Sequence, residues 1–166
     1  MQNQTAGREP RIVVGVDGSP SSVGALRRGA RIAAALDLPL HAIAAWHYPD
    51  LYGGYMGEAF IPDPSMLADG AQAMLDETVA AVFGDSPPTG FRGLVREGRA
   101  AQILIDESRG AEMLIVGSRG HGGFTGLLLG SVSEACAEHA TCPVLVFHEE
   151  PAKVGGAEPV LLEDAA

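Results

Sequence analysis

The chain has 166 residues and a formal net charge of −10 at pH 7. Its length suits one domain, and 46% hydrophobic residues with 19% charged residues indicate a compact globular chain rather than a disordered one. The acidic balance disfavours nucleic acid and anionic membranes as partners, because both carry negative charge. It does not exclude a small phosphate ligand, since backbone N–H groups bind anions without any lysine.

The ends of the chain differ in pattern from its middle. Residues 1–9 are polar and resemble no signal peptide, and no run reaches the ~18 apolar residues of a membrane span. We therefore expect a cytoplasmic protein with no membrane partner, in which Cys136 and Cys142 are free buried thiols. Residues 149–166 mix proline, glycine and acids without periodicity. They predict a mobile tail after a domain at 10–148, and residues 1–9 predict a flexible N-terminus.

Strand-like and helix-like patterns alternate along the middle of the chain. The predicted strands are 11–16, 38–48, 91–98, 111–118 and 141–148, and the predicted helices are 20–37, 65–82, 100–110 and 131–140. Ser19 is a favourable N-cap and Pro20 a favourable first helical residue, whereas 49–64 predicts a long surface connection. This alternation predicts an α/β fold in one domain: an open, mostly parallel five-stranded sheet with helices on both faces.

Two strand ends carry groups that could bind a ligand. VDGS follows the first strand and GSRG follows the fourth. In doubly wound sheets, ligands bind beyond the carboxyl ends of the strands at the switch point. The sequence does not give the strand order directly, but an order of 3-2-1-4-5 would place these two ends side by side.

The segment GSRGHGGFTGLLLGSVS, residues 117–133, contains six glycines between a buried strand and a helix. Such a segment forms a cradle of free N–H groups at the positive end of a helix, and glycine allows the backbone to approach an anion closely. The position of the loop favours anion binding. The candidate residues here are Gly117, Ser118, Arg119, Gly120, His121, Gly122, Gly123, Gly130, Ser131 and Val132.

Structural interpretations compete with this one. Ser131 and Glu134 fit a capping box, which would use the same N–H groups. His121 could contact a phosphate or lie exposed in the loop, and Asp17 could be a turn residue that accepts local N–H bonds. Cys136, His139 and Cys142 have a spacing that could suggest a metal, but a structural zinc usually needs four ligands, so no metal site is predicted.

VVGVDGS, the segment from LIVGSRGHGG to CPVLVF, and the spacing G-x2-G-x9-G-S resemble the universal stress protein family over residues 10–148. In that family the spacing marks the ATP-binding branch. The resemblance implies a Rossmann-like fold related to the adenine nucleotide alpha hydrolases, with strand order 3-2-1-4-5. It also implies a homodimer that pairs through the last strand.

The resemblance further implies roles for single residues. Gly117, Gly120, Gly130 and Ser131 would hold the triphosphate and ribose of ATP. Asp17 matches the acidic residue of the nucleotide site, Gly15 and Val16 would line the same crevice, and the backbone of Ala45 would read the adenine. Mg²⁺ or Mn²⁺ would be bound mainly through the phosphates. The sequence departs from the family at Glu112, where aspartate is more usual, and in the longer, more aromatic connection 47–64.

These observations favour an ATP-binding universal stress protein with a nucleotide-dependent regulatory role in the stress response. Little or no catalysis is expected, because the sequence offers no arrangement of nucleophile, base and orienting group. Two alternatives stay open. One is a slow ATPase or nucleotide-transfer enzyme on the same scaffold, and the other is a dimeric scaffold that binds no nucleotide.

Overall fold

The computed structural model describes residues 9–48, 63–120 and 129–149. Its strands are β1 (Ile12–Gly15), β2 (Leu40–Trp46), β3 (Arg92–Glu97), β4 (Met113–Gly117) and β5 (Val144–Phe147). Its helices are α1 (Pro20–Leu36), α2 (Pro64–Phe83), α3 (Ala100–Glu107) and α4 (Ser131–His139). Most of the predicted connection at 49–64 and of the predicted flexible ends lies outside the described residues.

The five strands form one sheet in the order β3-β2-β1-β4-β5, and every neighbouring pair is parallel. This confirms the predicted fold class and strand order. β1 lies at the centre and is buried along its whole length, because its residues face apolar helices on both sides of the sheet. The chain leaves β1 for β2 on one side and returns to β4 on the other, which creates the switch point.

Alternating side chains of the strands pack into two separate hydrophobic cores, one on each face of the sheet. Ile12 and Val14 point into the core that packs under α1 and α2. Val13, Ile43 and Leu114 point into the core that packs under α3 and α4. The two helical layers therefore cover opposite faces of the sheet.

The boundaries of the first helix follow its sequence signals. Ser19 is the N-cap of α1, as predicted, and its Oγ accepts a hydrogen bond from the Ser22 N–H at 3.3 Å. Pro20 is the first helical residue. α1 ends at Leu36, and its C-cap residue Asp37 adopts a left-handed conformation with φ of 54°. α3 ends earlier than predicted, at Glu107, and Gly110 lies in the turn that follows with φ of 71°.

None of the helices in the described parts of the chain combines the length and apolar character that crossing a membrane requires.

Candidate functional site

A cavity of about 510 Å³ lies at the carboxyl ends of β1, β2 and β4, on the face of the sheet covered by α3 and α4. The first residues of α3 and α4 close two of its sides. It is lined by Gly15, Val16, Asp17, Ser22, Ile43, Ala45, Ala100, Leu104, Val116, Gly117, Arg119, Gly120, Leu129, Gly130, Ser131, Val132 and Ser133. The two strand ends that the sequence singled out, VDGS and GSRG, therefore meet in one cavity.

One wall of the cavity is apolar. Ile43, Leu104 and Val116 contribute side chains that are almost completely buried. A Cβ atom on Gly15 would stand 2.8 Å from a methyl carbon of Leu104, so the glycine leaves room for this side chain against the sheet. Such a wall suits a flat, weakly polar group of a ligand.

The backbone of Ala45 is available at the edge of this wall. The paired register of β1 and β2 ends at Gly15 and Ile43, and the Val16 N–H donates to the Ile43 carbonyl at 2.9 Å. Backbone groups along a strand alternate between its two sides, so those of Ala45 point to the same side as those of Ile43. Because β1 has already ended there, the N–H and C=O of Ala45 have no β1 partner among the described residues.

The N-terminus of α4 carries no side-chain cap. Its N-cap is Gly130, not Ser131, so the capping box that competed with anion binding as an interpretation does not form: Ser131 is the first helical residue and Glu134 the fourth. The Gly130 N–H donates to the Ser118 carbonyl at 2.8 Å, which draws Gly130 into the cap position. The Ser133 hydroxyl also donates to backbone carbonyls rather than accepting from the first turn. The first-turn N–H groups of α4 therefore have no capping side chain and border the cavity.

The N-terminus of α1, at the same edge, is filled by its own side chains. The Asp17 carboxylate accepts the Ser19 N–H at 3.0 Å and the Ser19 hydroxyl at 2.5 Å. The Ser21 hydroxyl donates to the carbonyl oxygen of Arg119, and the Ser19 hydroxyl oxygen lies 3.3 Å from the same carbonyl oxygen. These bonds join the loop after β1 to the loop after β4, and they fix the position of the Asp17 carboxylate beside the cavity.

The three glycines of the G-x2-G-x9-G-S spacing have different local surroundings, and only the first two are in close contact with other atoms. A Cβ on Gly117 would lie 3.0 Å from backbone atoms of Ser21 and Ser22, so β4 and α1 can approach this closely only with glycine there. A Cβ on Gly120 would lie 2.5 Å from Oδ2 of Asp17. Gly130 meets nothing closer than 3.5 Å, and its φ of −77° is open to any residue. Packing of the described residues therefore does not require glycine at 130.

Most of the predicted site residues line this cavity. They are Gly15, Val16, Asp17, Ala45, Gly117, Arg119, Gly120, Gly130, Ser131 and Val132. Ser118 is buried, and its carbonyl holds Gly130 and Ser133. His121, Gly122 and Gly123 lie outside the described residues. Sequence reasoning missed the apolar lining of Ile43, Leu104 and Val116, because alternation within a strand or helix does not say which core position borders a cavity.

Ser22 and Ser133 were also missed. Ser22 belongs to the DGSPSS segment and Ser133 to the GSVS segment, so their hydroxyls close to a suspected anion site were an available signal. The structure instead uses both hydroxyls locally. Ser22 donates to the Ser19 carbonyl at 2.9 Å, and Ser133 donates to the Gly130 carbonyl at 2.9 Å.

Cys136, His139 and Cys142 do not come together as a ligand set. Cys136 is fully buried, and burial raises the pKa of its thiol to about 11, with the nearby Cys142 adding to the shift. His139 is exposed, and its Nε2 lies 3.6 Å from a carboxylate oxygen of Glu138. No group of three or more histidine, cysteine or acidic side chains suited to a metal ion occurs in residues 9–48, 63–120 and 129–149.

A parallel sheet of order 3-2-1-4-5, with a cavity at its switch point, defines a Rossmann-like α/β fold. The chain belongs to the universal stress protein family, whose model matches residues 10–148. It is 33% identical over 150 residues to universal stress protein Rv2623 of Mycobacterium tuberculosis, covering 84% of this chain and 48% of that protein. A universal stress protein of Mycolicibacterium smegmatis is 34% identical over 136 residues, covering 81% and 44%. The chain thus spans about half the length of these curated relatives.

Solved structures show the same fold. A universal stress protein crystallised in complex with cAMP is 27% identical, with a TM-score of 0.61 over 84% of this chain and 97% of that one. UspA from Lactobacillus plantarum superposes with a TM-score of 0.67 at 19% identity, covering 84% of this chain and 98% of the other. At this identity the second likeness concerns the fold alone.

Proposed function

We propose that this chain binds ATP, with Mg²⁺ or Mn²⁺ held mainly by the phosphates, and that the bound nucleotide regulates a role in the stress response. The observation that carries the proposal is the uncapped N-terminus of α4 on a cavity with an apolar wall. The cAMP complex of a structural neighbour supports an adenine nucleotide as the ligand class. We also propose a cytoplasmic location and little or no catalysis.

The phosphates would bind at the start of α4. The first-turn N–H groups of Ser131 and Val132 are polarised by the helix dipole, and negative charge is stabilised there. The Arg119 side chain is exposed at the cavity rim and would supply a guanidinium to the same phosphates. A side chain at Gly130 would stand between the ligand and these donors, which explains a glycine that packing does not require.

The nucleoside would lie over the sheet. The adenine ring would pack against Ile43 and Leu104, and its polar edge would bond to the backbone N–H or C=O of Ala45. The Asp17 carboxylate would accept a hydrogen bond from a ribose hydroxyl, because Ser19 holds it in place at the mouth of the cavity. Binding would therefore use both strand ends at once.

Nucleotide binding would reach a partner through the loop after β4. Ordering of this loop around a triphosphate changes the surface that another protein meets. We further propose a homodimer through β5, whose half-buried Val144–Phe147 residues pair with β4 on one side and with no other strand of the described chain.

Calorimetric titration with Mg-ATP tests the binding. Gly130→Asp puts a carboxylate at the N-cap, where it satisfies the free N–H groups and repels phosphate, so affinity should fall at least about tenfold. Gly70→Asp is the matched control: it makes the same change in net charge on α2, which covers the opposite face of the sheet, at a glycine with nothing within 4 Å. No binding of ATP, ADP, AMP or cAMP by the wild-type chain, or equal affinity in both variants, would overturn the proposal.

The same preparations separate binding from hydrolysis. Phosphate release well above a control without protein, lost in Asp17→Ala, would replace the binding role with that of a slow ATPase. Wild-type protein that releases no nucleotide on denaturation and binds none in solution would indicate the nucleotide-free scaffold.

A further inference from the structure

Three arginines cluster on the exposed side of α1. Arg27, Arg28 and Arg31 are all exposed, and none makes an ion pair or hydrogen bond with another described residue. The whole chain has only 11 lysine and arginine residues against 21 acidic ones. More than a quarter of its positive charge therefore stands within two turns of one helix. We call Arg27, Arg28 and Arg31 the arginine stripe.

The arginine stripe points towards β5. Gly24 packs directly under the ring of Phe147, since a Cβ on this glycine would overlap that ring. With about 100° of rotation per residue, Arg28 and Arg31 project within about 40° of Gly24, and Arg27 within about 60°. The stripe therefore follows the side of α1 that borders the β5 edge of the sheet, with α1 and β5 in contact.

The C-terminal segment leaves the fold at this place. Phe147 is the last residue of β5, and the 17 residues after His148 and Glu149 lie outside the described part of the chain. The segment 149–164 carries five carboxylates and one lysine: Glu149, Glu150, Lys153, Glu158, Glu163 and Asp164. Gly24 and Arg28 are about 6 Å apart along the helix axis, and two extended residues span about 7 Å. Glu149 thus starts within reach of the first arginines.

We propose that residues 149–164 bind along the arginine stripe of their own chain. Guanidinium groups pair with carboxylates in a planar, two-bond geometry, and three of them on one stripe offer successive partners to an acidic segment. Each exposed pair is weak, so the segment exchanges between bound and free states and binds less at high salt. The inference goes beyond nucleotide binding and does not depend on it.

Lys153 provides a built-in probe, because it is the single lysine of the chain. Lysyl endopeptidase therefore cuts the full-length protein once, after Lys153, and cuts more slowly when the segment is bound. At low salt, the triple variant Arg27→Glu, Arg28→Glu, Arg31→Glu should be cut about three times faster than wild type or more. Raising the salt to ~0.3 M should remove most of the difference.

A matched pair of single variants distinguishes an effect of the arginine stripe on the cutting rate from a general effect of net charge. Arg28→Glu should increase the cutting rate, whereas Arg92→Glu, an exposed arginine on the opposite edge strand β3, should not. Thermal unfolding of each variant shows whether the fold is intact, and Glu149→Gln with Glu150→Gln should reproduce the faster cutting without touching α1. Equal rates at low salt in wild type and all these variants would overturn the proposal. Protection that increases with protein concentration would also overturn it, because the segment would then bind a second copy.

Discussion

The starts of α1 and α4 lie at the same edge of the sheet and differ in how their N–H groups are used. At α1, Ser19 caps the helix and its hydroxyl also holds the Asp17 carboxylate. At α4, Gly130 occupies the cap position and offers no side chain. Every helix start leaves several N–H groups to be satisfied. The start of α1 is capped by its own side chain, whereas the first N–H groups of α4 have no capping side chain and border the cavity.

The glycines near these two helices separate in the same way. Gly117 is required by the close approach of β4 to the first turn of α1. Gly130 has free space around it and an ordinary backbone conformation. The same residue type in one motif therefore allows close packing at one position and leaves the cavity beside α4 unobstructed at the other. Four measurements test this difference between the two helix starts.

Gly117→Ala should produce the largest loss of stability. The new Cβ would press on backbone atoms of Ser21 and Ser22 at 3.0 Å, and neither can move without shifting α1. Overpacking of this kind should lower the free energy of unfolding by about 2–3 kcal/mol, measured by urea denaturation. Gly70→Ala, at a helical glycine with nothing within 4 Å, should instead raise it by up to about 1 kcal/mol. Equal stability of Gly117→Ala and wild type would show that α1 and β4 are not held together this tightly.

Alkaline pH should lower the free energy of unfolding, because Cys136 is a buried thiol on α4. Burial raises the pKa of this thiol from 9.0 to about 11, so the folded chain keeps the proton while the unfolded chain loses it. The contribution of the protonated Cys136 thiol to stability is fully present well below pH 9, and it is lost as the pH rises from 9 towards 11. The loss between pH 8 and pH 10 should be about 1.4 kcal/mol.

Urea denaturation at several pH values measures this loss. Cys136→Ala should be less stable throughout but should show a flatter alkaline decline, to which Cys142, whose pKa burial also raises, still contributes. An unchanged decline in that variant would assign the alkaline effect to other groups.

Ser19→Ala should open the closed helix start. It removes the α1 cap and the hydrogen bond from the Ser19 hydroxyl to the Asp17 carboxylate, while the backbone N–H of residue 19 still donates to that carboxylate. We expect a loss of about 1 kcal/mol in the free energy of unfolding and a weaker affinity for Mg-ATP. Ser65→Ala is the control, since Ser65 makes a similar bond to Asp63 at the exposed start of α2 and should change little. Full ATP affinity in Ser19→Ala would mean that Asp17 needs no support from α1.

Gly130→Ser should close the open helix start, with the smallest effect on stability. A serine hydroxyl can cap α4 as Ser19 caps α1, and the nearest atom to its Cβ would be 3.5 Å away. Stability should rise by a few tenths of a kcal/mol while Mg-ATP affinity falls, because hydroxyl and phosphate compete for the same N–H groups. The result that identifies capping is a rise in stability together with a fall in Mg-ATP affinity. If both quantities fell together, steric disruption would explain the variant better than capping.

Much of this comparison could be predicted from the sequence, and its central difference could not. Ser19 followed by Pro20 predicts the α1 start correctly, because both signals act within one turn. At α4 the pattern of Ser131 and Glu134 predicts a cap one residue too late. The position is set by a hydrogen bond between Gly130 and Ser118, twelve residues apart, which no local pattern encodes.

The strand order was predicted through the family resemblance rather than from the residues themselves. Apolar periodicity locates strands and helices but does not rank neighbours in a sheet. For the same reason, the placement of Leu104 on the cavity wall depends on how α3 crosses the sheet. The glycines of the loop were visible in the sequence, whereas their separate reasons appear only when the nearest atoms are known.

The contact between Gly117 and the first turn of α1 limits how this site can be moved into another protein. A designer who transplanted only residues 117–133 onto a different parallel sheet would bring the glycines without the serines that anchor the Arg119 carbonyl. The smallest portable unit is therefore discontinuous, consisting of residues 15–22 together with the loop and the first turn of α4. Any grafted version must also reproduce a strand and a helix close enough to exclude a methyl group.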